Sequence, residues 1–293
     1  MNPLPFLLER DNDRPISGAW HLPEGPAKGT VLFLHGYKGY MDWGAWPQVG
    51  NLMASQGWRF LRINFTHNGT TPVKPSSFND LEAFAANTYR RERDEAVDVL
   101  KALRNPASVK DTIASDAPLV VIGHSRGGGI ACLAGAAADC KLRQTGRHGV
   151  DAIVTWAGVS DFASRFPTGA QLEDWRKTGQ LEVINHRTRQ RLHHNWSFFQ
   201  DFQENESDLT IENAVRKFKG RMMVAHGTDD VAVAIEHAHQ LNQWSTFPTL
   251  ALLEGAGHTF GAAEPWQKPI LPEQLQVLTQ TTLHFMEEGR AVQ

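Results

Sequence analysis

Short, largely apolar runs recur along the chain, and each stops at a glycine or a small polar pair. Residues 31–34 (VLFL) end at His35-Gly36, 59–63 at Asn64-Phe65, and 119–122 (LVVI) at Gly123. Residues 152–156 end at Ala157-Gly158, 222–225 at His226-Gly227, and 250–253 just before Gly255. Runs this short and this apolar suit strands covered on both faces, where neither row of side chains meets water. Longer stretches of helical pattern separate them, over 42–56, 79–104, 125–138, 233–243 and 272–288. Strands alternating with helices predict an α/β fold on a mostly parallel sheet flanked by helices. Residues 6–9 and 16–21 precede the alternation and read as an antiparallel start to the same sheet, which makes eight strands.

Two helical segments carry sharper signals. Asn79 followed by Glu82 reads as an N-terminal capping box, opening a helix that runs to Arg104 before Asn105-Pro106 stops it. Inside it, Arg90/Asp94 and Arg91/Glu95 stand four apart, the pattern of a solvated, charge-laced face. Residues 125–138 are small and apolar, as a helix lying close on a sheet requires. One segment breaks the alternation. Residues 159–219 far exceed the usual strand-to-helix link, and they hold Phe162, Phe166, Trp175, Trp196, Phe198, Phe199 and Phe202 beside Arg187, Arg189 and Arg191. A helical cap inserted into a single domain of residues 1–293 is the expectation.

Composition removes whole classes of function. With 29 Lys and Arg against 32 Asp and Glu, a net charge of −3 gives no basic excess for nucleic acid. Two cysteines, Cys132 and Cys140, exclude a disulfide framework and a four-cysteine zinc site. Among 13 histidines, His237/His239 and His193-His194 lack the H-E-x-x-H spacing, so no metal is expected. Residues 1–10 (MNPLPFLLER) lack the basic and apolar regions of a secretory signal, and no run is long enough to span a bilayer. A cytoplasmic protein without membrane contact is expected; oligomeric state is not legible.

The chemistry centres on Gly123-His124-Ser125-Arg126-Gly127, a match to G-x-S-x-G. Chance alone produces such a match in about one chain in ten of this size and composition, so context carries the weight. A strand precedes it and a helix of small residues follows, the setting of a strained turn that lifts a serine to the sheet's rim. Gly123 and Gly127 are needed because side chains there would strike neighbouring backbone. A serine hydroxyl needs a base and the base an orienting acid, in the chain order serine, acid, histidine. His258, in Gly255-Ala256-Gly257-His258, follows the last strand. For the acid, Asp230 leads Asp229 through its place in H-G-x-x-D-x-x-V, with Asp229 then a turn residue and Asp161 a third candidate. All follow strand C-termini, where ligands bind in open α/β sheets. The oxyanion donors expected are the amides of Arg126 and of Tyr37, in the loop after the third strand.

These motifs, with Asn64-Phe65 and Asn68-Gly69, occur in the order seen in the α/β-hydrolase superfamily. Over residues 30–290 the chain resembles its esterase-like branch, related to dienelactone hydrolases and to the catalytic domains of prolyl-oligopeptidase-type peptidases. The resemblance implies the α/β-hydrolase fold, a Ser125–Asp230–His258 triad, hydrolysis of a small-molecule ester or related acyl bond, and no cofactor. Two departures matter: dienelactone hydrolases use a cysteine nucleophile, and about thirty residues before Val31 are too few for a propeller. A peptidase or amidase would use the same residues, and a non-catalytic ligand-binding homologue would keep the fold alone. Tyr37, Phe162, Trp175 and Trp196 are candidates for a substrate pocket, although the insertion's aromatics equally suit its own core. Arg126 has two partners open to it, an acid beneath the site or a substrate carboxylate. Arg187, Arg189 and Arg191 read as solvated surface.

Overall fold

The computed structural model describes residues 3–11, 13–105 and 117–288. Among these, the strands are β1 (Leu4–Leu8), β2 (Ile16–His21), β3 (Gly29–Leu34), β4 (Trp58–Asn64), β5 (Leu119–His124), β6 (Ala152–Trp156), β7 (Gln180–Asn185), β8 (Gln190–Asn195), β9 (Arg221–Gly227) and β10 (Pro248–Leu253). Eight of them form one sheet in the order β1-β2-β4-β3-β5-β6-β9-β10, with β2 antiparallel to both its neighbours and every other pairing parallel. All the apolar runs of the sequence lie in this sheet.

The helices are α1 (Trp46–Ser55), α2 (Leu81–Ala85), α3 (Tyr89–Leu103), α4 (Arg126–Gln144), α5 (Gly169–Thr178), α6 (Ser197–Glu204), α7 (Glu206–Leu209), α8 (Ile211–Lys217), α9 (Glu236–Trp244) and α10 (Glu273–Glu288). The period-2 alternation of the central parallel strands feeds two cores. Leu32, Leu34, Val121, Ile153 and Val224 face one side with residues of α3, α4, α8 and α9. Val31, Phe33, Ile122, Val154 and Ala225 face the other with α1 and α10. The central strands are buried along their whole length for that reason.

Four expectations need correction. The helix expected over 79–104 is two helices. Asp80, not Asn79, caps α2 by accepting from the Ala83 amide, and the chain then leaves helical geometry at Thr88, whose hydroxyl accepts from Arg91 N and starts α3. Two capping residues inside one helical pattern each favour a start of their own. Pro106, read as the stop, lies outside the described residues. The charge run is not a solvated face either: Glu92 and Glu95 are buried, Arg90 pairs with Asp201 and Arg91 with Asp13. Finally, the 159–219 insertion is not all helical. β7 and β8 form an antiparallel hairpin whose Val183 and Leu192 turn inward while Glu182 and Arg191 pair outside at 3.2 Å. Arg187 and Arg189 lie in its exposed turn. α1 also starts at Trp46 rather than residue 42, since Pro47 is tolerated only in a helix's first turn.

Candidate active site

Parallel strands deliver their C-terminal ends to one rim, and the loops leaving β3, β5, β6, β9 and β10 meet there. Ser125 sits between β5 and α4 at φ 58°, ψ −122°, a conformation that L-residues rarely adopt. The turn is held by Ser125 N donating to Trp156 O (2.9 Å) and by Gly128 N and Val159 N donating to Ser125 O (2.9 and 3.2 Å). A side chain on Gly123 would collide with the Gly127 backbone, and one on Gly127 with Leu34 O and His35 O, so both positions require glycine. Cys132, nearly two turns into α4, is buried and its thiol is pushed up to about 12 by that burial.

His258 bridges the serine to a carboxylate. Its Nε2 lies 2.9 Å from Ser125 Oγ and its Nδ1 lies 2.7 Å from Asp230 Oδ2. The Asp230 side chain is shielded from solvent. Its Oδ1 accepts from the amides of Ala232 (2.8 Å) and Val233 (2.9 Å), and Oδ2 also faces His226 Nε2 at 3.3 Å. Burial works to raise this carboxyl, but the hydrogen bonds from His226, His258 and Val233 N outweigh it and hold Asp230 well below the usual carboxylate range. Asp229, in contrast, is exposed and accepts from Thr228 Oγ1, while Asp161 caps its own turn through Ala163 N and Ser164 N. Neither reaches His258.

Three further histidines brace this arrangement. His124 Nε2 donates to His258 O (2.9 Å), and its ring lies between Trp46 and His258, 5.1 and 4.9 Å away. Burial, with His258 beside it, pulls its pKa down to about 3, so it stays a neutral donor. His226 Nε2 donates to Val233 O (2.9 Å) and so fixes the loop that carries Asp230. His35 Nδ1 donates to Gly36 O, and its Nε2 faces Asn68 Nδ2 at 3.3 Å; burial holds it neutral, at about 4. Asn64 Oδ1 accepts from Met41 N (2.7 Å), and Arg62 donates to Met41 O (2.6 Å) while pairing with Asp42. The loop after β3 is thereby pinned against the serine: a carbon on Gly36 would stand 3.0 Å from Ser125 Cβ. The His124, His226, His35, Asn64 and Asn68 positions all lie within the recurring motifs, but which partner each ring or amide takes is not written there, and that of His124 lies 134 positions away.

Tyr37 follows Gly36, and Arg126 is the first residue of α4, where an amide has no partner within the helix. The Arg126 guanidinium rests 4.0 Å over the Tyr37 ring and 5.0 Å over Tyr89, and its Nη1 lies 3.4 Å from Glu92 Oε1. The acid beneath the site is therefore Glu92. Tyr37 Oη and His194 Nε2 lie 2.7 Å apart, and burial pushes the Tyr37 hydroxyl up to about 12.

Ser125, Tyr37 and Arg126 open onto a cavity of about 200 Å³ beneath the insertion, walled by Phe162, Phe166, Trp175, His194 and Phe198. Phe162 stacks on Tyr89 at 3.9 Å, and Phe166 and Trp175 pack on Phe198 and Phe199. These aromatics serve as pocket wall and as the insertion's core at once. Trp196 belongs to the core alone: it packs edge-on against Trp175 (5.4 Å) and beside Phe199 (5.0 Å) without lining the cavity, and so falls out of the candidate pocket. A second, smaller cavity of about 120 Å³ lies across Ser125, between Trp43, Trp46, His258 and Thr259. His237 Nδ1 accepts from Ser160, and among the described residues no three metal-ligating side chains cluster. No described helix is long and apolar enough to cross a membrane.

The family model described as "Alpha/beta hydrolase family" matches residues 31–269. No curated protein matches the chain in sequence. Among solved structures, Est1E from Butyrivibrio proteoclasticus with ferulic acid bound is similar at TM-score 0.71 and 16% identity, over 98% of this chain and 99% of that one. A soluble variant of monoglyceride lipase from Saccharomyces cerevisiae is similar at TM-score 0.69 and 15% identity, over 99% and 96%. Dienelactone hydrolase from Anabaena variabilis is similar at TM-score 0.56 and 18% identity, over 98% and 99%. With a sheet of this order, a strained serine at its rim and the family match across most of its length, the chain belongs to the alpha/beta hydrolase family.

Proposed function

We propose that the protein is a serine hydrolase that cleaves the carboxylic ester of a small molecule through an acyl-enzyme. The observation that carries this reading is the continuous path Ser125 Oγ–His258 Nε2 (2.9 Å) and His258 Nδ1–Asp230 Oδ2 (2.7 Å), set beside a cavity. His258 takes the Ser125 proton as the oxygen attacks the ester carbonyl, and Asp230 holds the imidazole in the tautomer that leaves Nε2 free to accept. The amides of Tyr37 and Arg126 receive the oxyanion, each worth about 3 kcal/mol of transition-state stabilisation. His258 then protonates the departing alcohol, and water repeats the sequence to release the acid.

Residues 159–219 act in this reading as a cap over the acyl group. The cavity of about 200 Å³ is below the roughly 300–1,000 Å³ of drug-sized sites, which favours a compact acyl group, including an aromatic one. Two free cysteines, one of them exposed, suit a reducing compartment such as the cytoplasm. Nucleic acid is no part of the reading.

Ser125→Ala should lower turnover of 4-nitrophenyl acetate at least a thousandfold while the circular dichroism spectrum is unchanged. A fluorophosphonate should label the wild type at Ser125 and leave the variant unlabelled. Wild-type turnover by the variant would sink the proposal. A parallel panel of 4-nitroanilides separates an esterase from an amidase.

A further inference from the structure

An arginine in an aromatic cavity directly behind a reactive serine needs a reason. Desolvating a guanidinium is costly unless its donors are satisfied. Here one donor reaches Glu92, at a long 3.4 Å, and the rest of the fork is cradled by the faces of Tyr37, Tyr89 and Phe198 at 4.0, 5.0 and 5.7 Å. Glu92 lies below on α3, where Asn87 Nδ2 donates to it at 2.7 Å, and does not line the cavity. The Arg126 side chain keeps 12% of its surface open and lines the cavity, whereas Glu92, at 4%, does not.

The charged side chains that line the cavity, Arg126 and Arg165, have one sign. Arg165 is held by a 3.4 Å contact to Ala232 O, and Lys38, outside the lining, lies 5.2 Å from the Tyr37 ring. Among the described residues lining this cavity there is no aspartate or glutamate. The enclosing rings exclude water, which strengthens any charge pair formed inside. A planar guanidinium with a free edge is built to take a carboxylate through two parallel hydrogen bonds.

From this juxtaposition we infer that the acyl group entering the cavity ends in a second carboxylate, received by Arg126, so that the substrates are half-esters of dicarboxylic acids. The inference rests on the ester-hydrolase reading and narrows it. Glu92 and the three rings hold the guanidinium in place, Arg165 draws the anion in, and the aromatic walls clasp the spacer between the two carboxyl groups. The chemistry is ordinary ester hydrolysis: water adds across the acyl–oxygen bond, and the products are the dicarboxylate, the alcohol and a proton.

The test compares esters of equal size that differ in charge: monoethyl glutarate against ethyl 5-methylhexanoate, and monomethyl terephthalate against methyl 4-isopropylbenzoate. The second pair distinguishes an aromatic from an aliphatic spacer. In the wild type, kcat/KM should favour the charged ester at least tenfold in one pair, through KM, and the preference should shrink as salt is raised. In Arg126→Met combined with Glu92→Gln, which leaves no unpaired buried charge and keeps the residue-126 amide, the preference should vanish. Arg165→Gln should lower it severalfold by raising KM for the charged ester alone. Equal or better use of the neutral ester in both pairs by the wild type overturns the inference, as does an undiminished preference in the double variant. Hydrolysis of 4-nitrophenyl acetate, abolished in Ser125→Ala, reports separately on the ester-hydrolase reading.

Discussion

At the scale of single residues, the site is organised by what stands behind its three central side chains. Asp230 is held low by donors, and beside His258 the one contributed by a side chain is His226. A hydrogen bond to a charged group is worth roughly 1.5–3 kcal/mol, which is about ten- to a hundredfold in rate. His226→Phe should therefore lower kcat on 4-nitrophenyl acetate by about that factor, with KM little changed; an unaltered kcat would show that Val233 N and Ala232 N suffice. His124→Phe removes the donor to His258 O while keeping a ring between Trp46 and His258. Its cost should again fall on kcat rather than on folding. These roles were hidden in the sequence, where His124 and His226 look like parts of motifs and their acceptors lie up to 134 positions away. The choice among Asp229, Asp230 and Asp161 was open for the same reason: spacing ranks them, but only the loop's path turns one carboxylate inward and leaves another in water.

Elements show a different kind of legibility. The β-strands of the main sheet announce themselves because burial on two faces writes an unbroken apolar run. β7 and β8 have one half-buried face, and their alternation of Leu181 and Val183 with polar residues is easily taken for a helical or loop segment. α3 carries the largest surprise, since its charge run conceals two buried carboxylates. Glu95 accepts from Thr66 N (2.8 Å) and from Thr66 Oγ1, and burial, despite those bonds, pushes its pKa up to about 7. A raised folded-state pKa means that this group's contribution to stability is full below its unfolded value, about 4.3, and is lost as pH rises through about 7. Glu95→Gln should accordingly gain on the wild type in melting temperature between pH 5 and pH 8. A difference between the two proteins that is independent of pH would contradict the assignment. The start of α3 offers a simpler check. Thr88→Ala removes the cap on Arg91 N and should cost about 1 kcal/mol in denaturant unfolding.

On the scale of the whole molecule, the insertion and the sheet share one core. Tyr89 of α3 stacks on Phe162 and meets Phe166, Phe198 and Phe202, so the roof of the cavity is continuous with the packing above α4. Phe166→Ala should then destabilise the entire protein by about 3–5 kcal/mol in a single transition, while widening the cavity for bulkier acyl groups. A separate early transition, with the main one unmoved, would mean that the insertion folds on its own. What the sequence determined by itself was the alternating architecture, the turn at Ser125 and the chain order of the candidate serine, aspartates and histidine, because each is written by neighbours a few positions apart. Only the tertiary structure decided which aspartate faces His258, which glutamate lies under Arg126, and that the aromatics of the insertion close over Ser125. Those outcomes depend on groups that the parallel sheet brings together from separate elements, some 28 and 34 positions apart, and no local pattern records a contact whose two halves are encoded so far apart.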